Sequence, residues 1–255
     1  MTAPMSQAVR SQETTSSRAF SVALAQEQHE IIECQRLRYR VFVDELGADI
    51  HTDIPGLDRD QFDAHCRHLM VRNQNTGELV ATTRILLDED ADGAGQFYSE
   101  SEFELSPVRA LNARLMEIGR TCIHPAYRKG AALAMLWHGI ARLVELHQVD
   151  YLMGCASIPM AQGEGYVRSV LEHLRRDHFS PPELRVTPRL TLPRTDAAGI
   201  EQVALPTLLK GYLRLGALVC GEPCWDPDFQ VADAFVLVNR DHLARRYRRH
   251  FLKQQ

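Results

Sequence analysis

Apolar residues recur at three- and four-residue steps through residues 25–46, where Ile31, Cys34, Leu37, Val41 and Phe42 mark one face of a helix and Gly47 is placed to stop it. The pattern then changes. Residues 48–65 are acidic and contain Gly and Pro, so they read as a long loop. Residues 68–72 and 79–87 are apolar runs on either side of Asn75-Thr76-Gly77-Glu78, a hairpin. Residues 88–101 return to acidic loop, and 115–124 read as a strand closed by His124-Pro125. Residues 130–148 carry Leu133, Leu136, Trp137, Ile140 and Leu143 on one helical face. A short buried strand follows at 150–157 and a basic amphipathic helix at 163–177. Four prolines make 181–194 extended or looped. A helix at 206–215, strands at 217–220 and 232–238, and a basic helix at 241–251 complete the chain.

Helices alternating with strands, with a hairpin early on, give an α/β or mixed α+β fold. Residues 1–19 are polar and rich in Ser, Thr and Gln, which predicts a disordered tail, and 20–255 form a single domain. Of the 255 residues, 45% are hydrophobic and 24% charged, the balance of a globular chain with a sizeable core. A net charge of -4 and a pI near 6.3 give no reason to expect nucleic acid. No apolar run is long enough to span a bilayer. The six cysteines form no C-x-x-C pair, so no metal site is expected, and their apolar settings suit a reducing, cytoplasmic compartment.

Several charged positions are candidates for chemistry. Glu117 and Arg120 lie three apart on a strand, which puts them on opposite faces unless a bulge intervenes. They could equally form a structural ion pair on a solvated strand. Arg128-Lys129-Gly130-Ala131 opens the helix at 130–148, where backbone N–H groups can bind phosphate, or where the cations are surface residues at a plain helix start. Arg38, Asp60, Asp63 and Arg84 are charges set among apolar neighbours. No G-x-S-x-G elbow is present, and Cys122 reads as core rather than nucleophile.

Four segments carry a resemblance: 38–47 (RYRVFVDELG), 117–125 (EIGRTCIHP), 154–157 (GCAS) and 208–216 (LLKGYLRLG), with Cys220-Gly221-Glu222-Pro223, Trp225-Asp226-Pro227-Asp228-Phe229 and Ala232-Asp233 behind them. Together they resemble the ornithine-lipid N-acyltransferases, over roughly residues 25–250. The N-terminal half is more distantly similar to the acyl-homoserine-lactone synthases, with one departure: those enzymes place Trp six residues after the Phe, and this chain has Ala48.

The resemblance implies a GNAT-like fold, a central mixed and mostly antiparallel sheet flanked by helices, with a C-terminal extension and a bulge at 117–120. It implies transfer of a long-chain, 3-hydroxy acyl group from acyl carrier protein to the α-amine of L-ornithine, with no bound cofactor beyond the acyl-phosphopantetheine of the donor. Glu117 would be the base or an ammonium ligand, and Arg120 would orient it or the acceptor carboxylate. Arg38, Phe42, Asp60, Asp63 and Arg84 would surround the acceptor, and Arg128, Lys129, Gly130 and Ala131 would hold the phosphopantetheine phosphate. Two other readings stand beside it. One keeps the donor and changes the acceptor to another amino acid or a homoserine-lactone precursor. The other is a membrane-active, hemolysin-like protein. The basic helices at 168–176 and 243–251 are candidate docking faces for acidic carrier protein or for the anionic surface of the inner membrane.

Overall fold

A computed structural model describes residues 15–16, 19–193 and 203–243. In chain order the elements are β1 (Thr15–Ser16), β2 (Phe20–Leu24), α1 (Gln28–Tyr39), β3 (Arg67–Asn73), β4 (Leu79–Leu87), α2 (Asp88–Ala94), β5 (Phe103–Glu104), α3 (Ser106–Arg109), β6 (Leu115–Ile123), α4 (Ala131–Leu146), β7 (Tyr151–Pro159), α5 (Glu164–Asp177), β8 (Thr187–Pro188), α6 (Thr207–Arg214), β9 (Leu218–Val219), β10 (Cys224–Asp226) and β11 (Val231–Asn239).

Nine strands make the main sheet, in the order β1-β2-β3-β4-β6-β7-β11-β10, with β9 also on β11. Every pairing in it is antiparallel except β6 with β7. This is the mixed, mostly antiparallel sheet that the sequence led us to expect. Helix α4 lies on one face, over β2, β3 and β4, where Leu136, Ile140 and Leu143 join Val22, Leu69, Ile85 and Ile118 in the main core. The opposite face buries Leu86, Leu115, Met153 and Phe235 under aromatics from the loops, Phe62, Phe97 and Phe103. Helix α1 contacts β4 and β6, and its Leu37, with Val41 from the turn that follows, packs against Cys122.

Three elements depart from expectation. The helix at 25–46 begins later and changes type. Phe20, Val22 and Leu24 alternate and pair with β3 instead. Glu30 then turns back to accept the N–H groups of Gln26 and Glu27, which fixes the start of α1. Past Tyr39 the chain widens into a π-helical turn, Arg40–Glu45. Residues 88–101 are not simple loop. Asp88, Glu89 and Asp90 crowd the first turn of α2, where carboxylates suit the helix dipole, and Ala91 is buried beneath it. A 3-10 turn, Tyr98–Ser101, follows. Strand β10 lies between Pro223 and Pro227, too short to show a period.

Of the expected tail, Thr15 and Ser16 pair with Val22 and Ser21. Residues 1–14 and 17–18, and most of the basic helix at 241–251, lie outside the described residues. Among the described residues no helix is long and apolar enough to cross a membrane.

Candidate active site

Strands β6 and β7 pair over only three positions, Leu115 to Tyr151, Met116 to Leu152 and Glu117 to Met153. The pairing ends where Gly154 meets the carbonyl of Ile118; a Cβ there would sit 2.3 Å from that oxygen, so only glycine allows the approach. Beyond it β6 remains paired with β4 alone, and β7 with β11. The facing backbone edges of β6 and β7 past that point do not pair with each other.

The expected bulge is present. Thr82 faces Cys122 and Arg84 faces Gly119, so Thr83 alone stands opposite Arg120 and Thr121. Arg120 adopts a left-handed φ of 49°, and the Thr83 hydroxyl donates to the Gly119 carbonyl at 3.2 Å while sharing a 2.7 Å hydrogen bond with Thr121. The extra residue brings Arg120 round to the face that Glu117 already occupies.

Glu117 and Arg120 nonetheless do not act on each other. The Glu117 carboxylate is buried and accepts the backbone N–H of Tyr98 at 2.8 Å, the N–H of Ser99 at 2.7 Å and the Ser99 hydroxyl at 2.5 Å. It caps the 3-10 turn. Burial raises its pKa, and these hydrogen bonds with nearby Arg84 only partly offset that. Arg120 turns toward Asp58 and Asp60, at 3.5 and 3.6 Å, and its guanidinium lies 4.8 Å over the Tyr98 ring and 4.5 Å over Phe229. The reading of Arg120 as the group that orients Glu117 is therefore corrected: the two are linked through Tyr98.

Beneath Arg120 runs a network of buried charges. Arg38, only 1% exposed, donates to Asp58 at 2.9 Å and to both oxygens of Asp63 at 2.9 and 3.0 Å. Arg84 donates to Asp60 at 2.6 Å and to Asp63 at 3.2 Å. Burial alone would raise the Asp63 pKa, but the two guanidinium groups overcome it and hold that carboxyl well below its usual range. His68 completes the network. Burial, aided by Arg38, pushes its pKa down to about 4, so the ring is neutral, with Nε2 donating to the Asp63 carbonyl and Nδ1 facing Arg38. These bonds tie α1, the loop at 57–63, β3 and β4 together.

An open cleft of about 580 Å³ lies above, lined among others by Asp58, Asp60, Tyr98, Arg120, Asp226 and Phe229. Of the sequence candidates, Asp60 and Arg120 line it. Arg38, Asp63 and Arg84 lie underneath as its support. Phe42 stands one ring behind, edge-on to Phe229 at 5.5 Å. Ala48 is buried, and its N–H donates to the Phe42 carbonyl. Arg128 is held by Glu45 in a two-point pair of 2.5 and 2.7 Å, next to Gly130, whose φ of 98° begins α4. On α5, the basic face is largely matched by acids: Arg168 pairs with Glu172, Arg175 with Glu222 and Arg176 with Asp177.

Residue-level reading of the sequence missed Asp58, Tyr98, Ser99, Glu102, Asp226, Phe229 and Asp233. The segments holding Asp226, Phe229 and Asp233 stood out as sequence blocks, and two acids in an apolar, Pro-bounded strand pair were the available signal. Tyr98 sits in a stretch that read as loop, and Glu102 just beyond it was assigned to no element, so neither gave any.

A family model described as an acetyltransferase (GNAT) domain matches residues 37–138. Over 250 residues the chain is 33% identical to an L-ornithine N(alpha)-acyltransferase of Rhodobacter capsulatus, covering 92% of this chain and 96% of that one. It is 32% identical to an L-ornithine N(alpha)-acyltransferase of Brucella abortus, with 90% and 87% covered. In fold it is similar to FeeM, an N-acyl amino acid synthase from uncultured soil microbes, with a TM-score of 0.55 at 13% identity, covering 93% of this chain and 97% of that chain.

Proposed function

We infer the reaction from kinship and site together: this chain belongs to the L-ornithine N(alpha)-acyltransferase family, and we propose that it moves a long-chain, 3-hydroxy acyl group from acyl carrier protein to the α-amine of L-ornithine. That reaction begins ornithine-lipid synthesis, on the cytoplasmic side of the inner membrane. The observation that carries the reading is the cleft at Arg120. There one guanidinium is surrounded by carboxylates beside two parting strands, a setting for a zwitterion that carries an extra positive charge.

Arg120 Nε and Asp60 Oδ2 both lack a hydrogen-bond partner. An α-amino acid brings a carboxylate for the first and an ammonium for the second. Burial would lower the Arg120 pKa, but Tyr98, Asp58 and Asp60 more than reverse this, so it stays cationic. The acyl-phosphopantetheine arm enters where β6 and β7 part, its phosphate toward Arg128, Lys129, Gly130 and Ala131. Backbone N–H groups freed there polarise the thioester carbonyl. The neutral α-amine attacks, the C–N bond forms, the C–S bond breaks, and the thiolate takes up the proton that the amine loses.

Glu117 serves this as the group that fixes Tyr98, since three donors already occupy its oxygens. The amine needs little help. An α-amine, with a pKa of about 8 in peptides, loses its proton more readily than a lysine-like side-chain amine near 10.4. Positioning supplies most of the remaining rate.

A thiol-release assay tests the reading with L-ornithine and two donors, a long-chain 3-hydroxyacyl carrier protein and acetyl-coenzyme A. Each buried methylene is worth about 0.8 kcal/mol, so the long-chain donor should win by several orders of magnitude in kcat/KM. Efficient transfer from acetyl-coenzyme A would return the chain to small-molecule acetylation.

A further inference from the structure

Three carboxylates meet beside the Arg120 cleft. Glu102 follows the 3-10 turn, Asp226 ends β10, and Asp233 lies on β11 opposite Ser157. One oxygen from each lies within 4.8 Å of the other two. Glu102 is 8% exposed, Asp226 9% and Asp233 4%. Their other partners are unequal. Asp226 accepts the N–H groups of Asp228 and Phe229, and Asp233 accepts the Ser157 hydroxyl at 2.7 Å. Both oxygens of Glu102 lack a hydrogen-bond partner, although the Tyr98 hydroxyl and Cys155 thiol lie alongside. A native fold rarely leaves a buried carboxylate so placed unless something is meant to meet it.

The electrostatics agree. Arg120 acts on both Asp226 and Asp233, but it also serves Asp58 and Asp60. Burial and mutual repulsion raise the pKa of Glu102 and Asp233, so uncompensated negative charge is costly there and a cation would relieve it.

We propose that Glu102, Asp226 and Asp233 form a receptor for a primary ammonium group, the side-chain ammonium of the diamino-acid acceptor. The inference rests on the amino-acid N-acylation reading above and names the part of the site that selects the acceptor. A primary ammonium has three N–H donors for three carboxylates. Oxygens no more than 4.8 Å apart leave a centre no more than about 2.8 Å from each, within reach of an N+–H···O− bond. Asp226 lines the cleft with Arg120, so an acceptor whose α-carboxylate rests on Arg120 can extend its side chain past Asp226 toward Glu102. A divalent metal ion would meet the same guanidinium with twice the charge. With the side-chain ammonium held as a cation, the α-amine is left as the nucleophile, which makes the triad the source of α-selectivity.

The probes are L-ornithine and L-norvaline, equal in carbon chain but differing in the terminal amine. Calorimetry on the purified full-length chain should give an affinity ratio of at least 100-fold for ornithine over norvaline. Glu102→Gln and Asp233→Asn should each reduce that ratio at least 30-fold, and the kcat/KM ratio with long-chain acyl carrier protein should follow. Equal wild-type binding of the two amino acids, no measurable binding of ornithine, an unchanged ratio in a folded variant, or ornithine binding abolished by EDTA would each overturn the proposal. The wild-type comparison stands even if a variant does not fold. If wild type binds ornithine selectively yet acylates neither amino acid from acyl carrier protein, the reaction assigned above fails while the ammonium receptor survives.

Discussion

The guanidinium of Arg120 lies 4.8 Å over the ring of Tyr98, on a strand position that only the bulge turns toward it. Glu117 holds the backbone of the same tyrosine at 2.8 Å. A buried carboxylate and a cation that lines the cleft are thus coupled through one aromatic residue.

Glu117→Ala should therefore cost stability as well as rate. It would leave the N–H groups of Tyr98 and Ser99 and the Ser99 hydroxyl without their buried acceptor. We expect a loss of about 3 kcal/mol or more in urea unfolding, with Glu117→Gln costing less. A change below about 0.5 kcal/mol would show that the turn does not depend on this carboxylate.

Arg120→Lys keeps the charge but loses the planar group that stacks between Tyr98 and Phe229. Acceptor kcat/KM should fall at least about 100-fold, since a charge-assisted contact in a partly desolvated site is worth a few kcal/mol. The KM for the acyl donor should hold. Equal losses toward donor and acceptor would place Arg120 outside acceptor binding.

The pH dependence of stability should carry the triad's signature. Burial, with Asp226 beside it, raises the Asp233 pKa from near 3.8 to about 7. The folded state binds this proton more tightly than the unfolded state, so its stabilising contribution is complete below about pH 4 and is lost as pH rises through about 7. His68 works the other way. Its pKa is depressed to about 4, so its contribution grows as pH rises toward its ordinary value of 6.5. The difference between wild type and Asp233→Asn cancels the histidine. Urea unfolding from pH 5 to 8 without ligand should show wild type declining relative to the variant; parallel curves would remove Asp233 as the responsible group.

Arg128 is engaged by Glu45 across an exposed pair. Arg128→Ala with Lys129→Ala should raise the KM for acyl carrier protein, more so at low ionic strength. Glu45→Gln should lower it by releasing Arg128 toward the donor. A carrier-protein KM that both variants leave unaltered at every salt concentration would mean that this loop does not meet the phosphate.

Much of the architecture is a local property of the chain. Leu133, Leu136, Ile140 and Leu143 share one face of α4 because the helical period places them there, and two apolar runs with the turn chemistry between them fix the hairpin at 67–87. The charged candidates Arg38, Asp60, Asp63 and Arg84 were visible because charge among apolar residues must find a partner when buried. Their roles were not visible. The resemblance implied Glu117 and Arg120 as a working pair, whereas the structure commits Glu117 to the 3-10 turn at Tyr98 and Arg120 to the loop at 58–60. Likewise Glu102, Asp226 and Asp233 are separated by up to 131 positions in the chain, and only the pairing of β11 with β7 and β10, together with the fold of the 98–102 segment, brings them within 4.8 Å. Periodicity reports which face of its own element a side chain occupies; which distant groups share that space is set by how elements pack, and here that packing made the site.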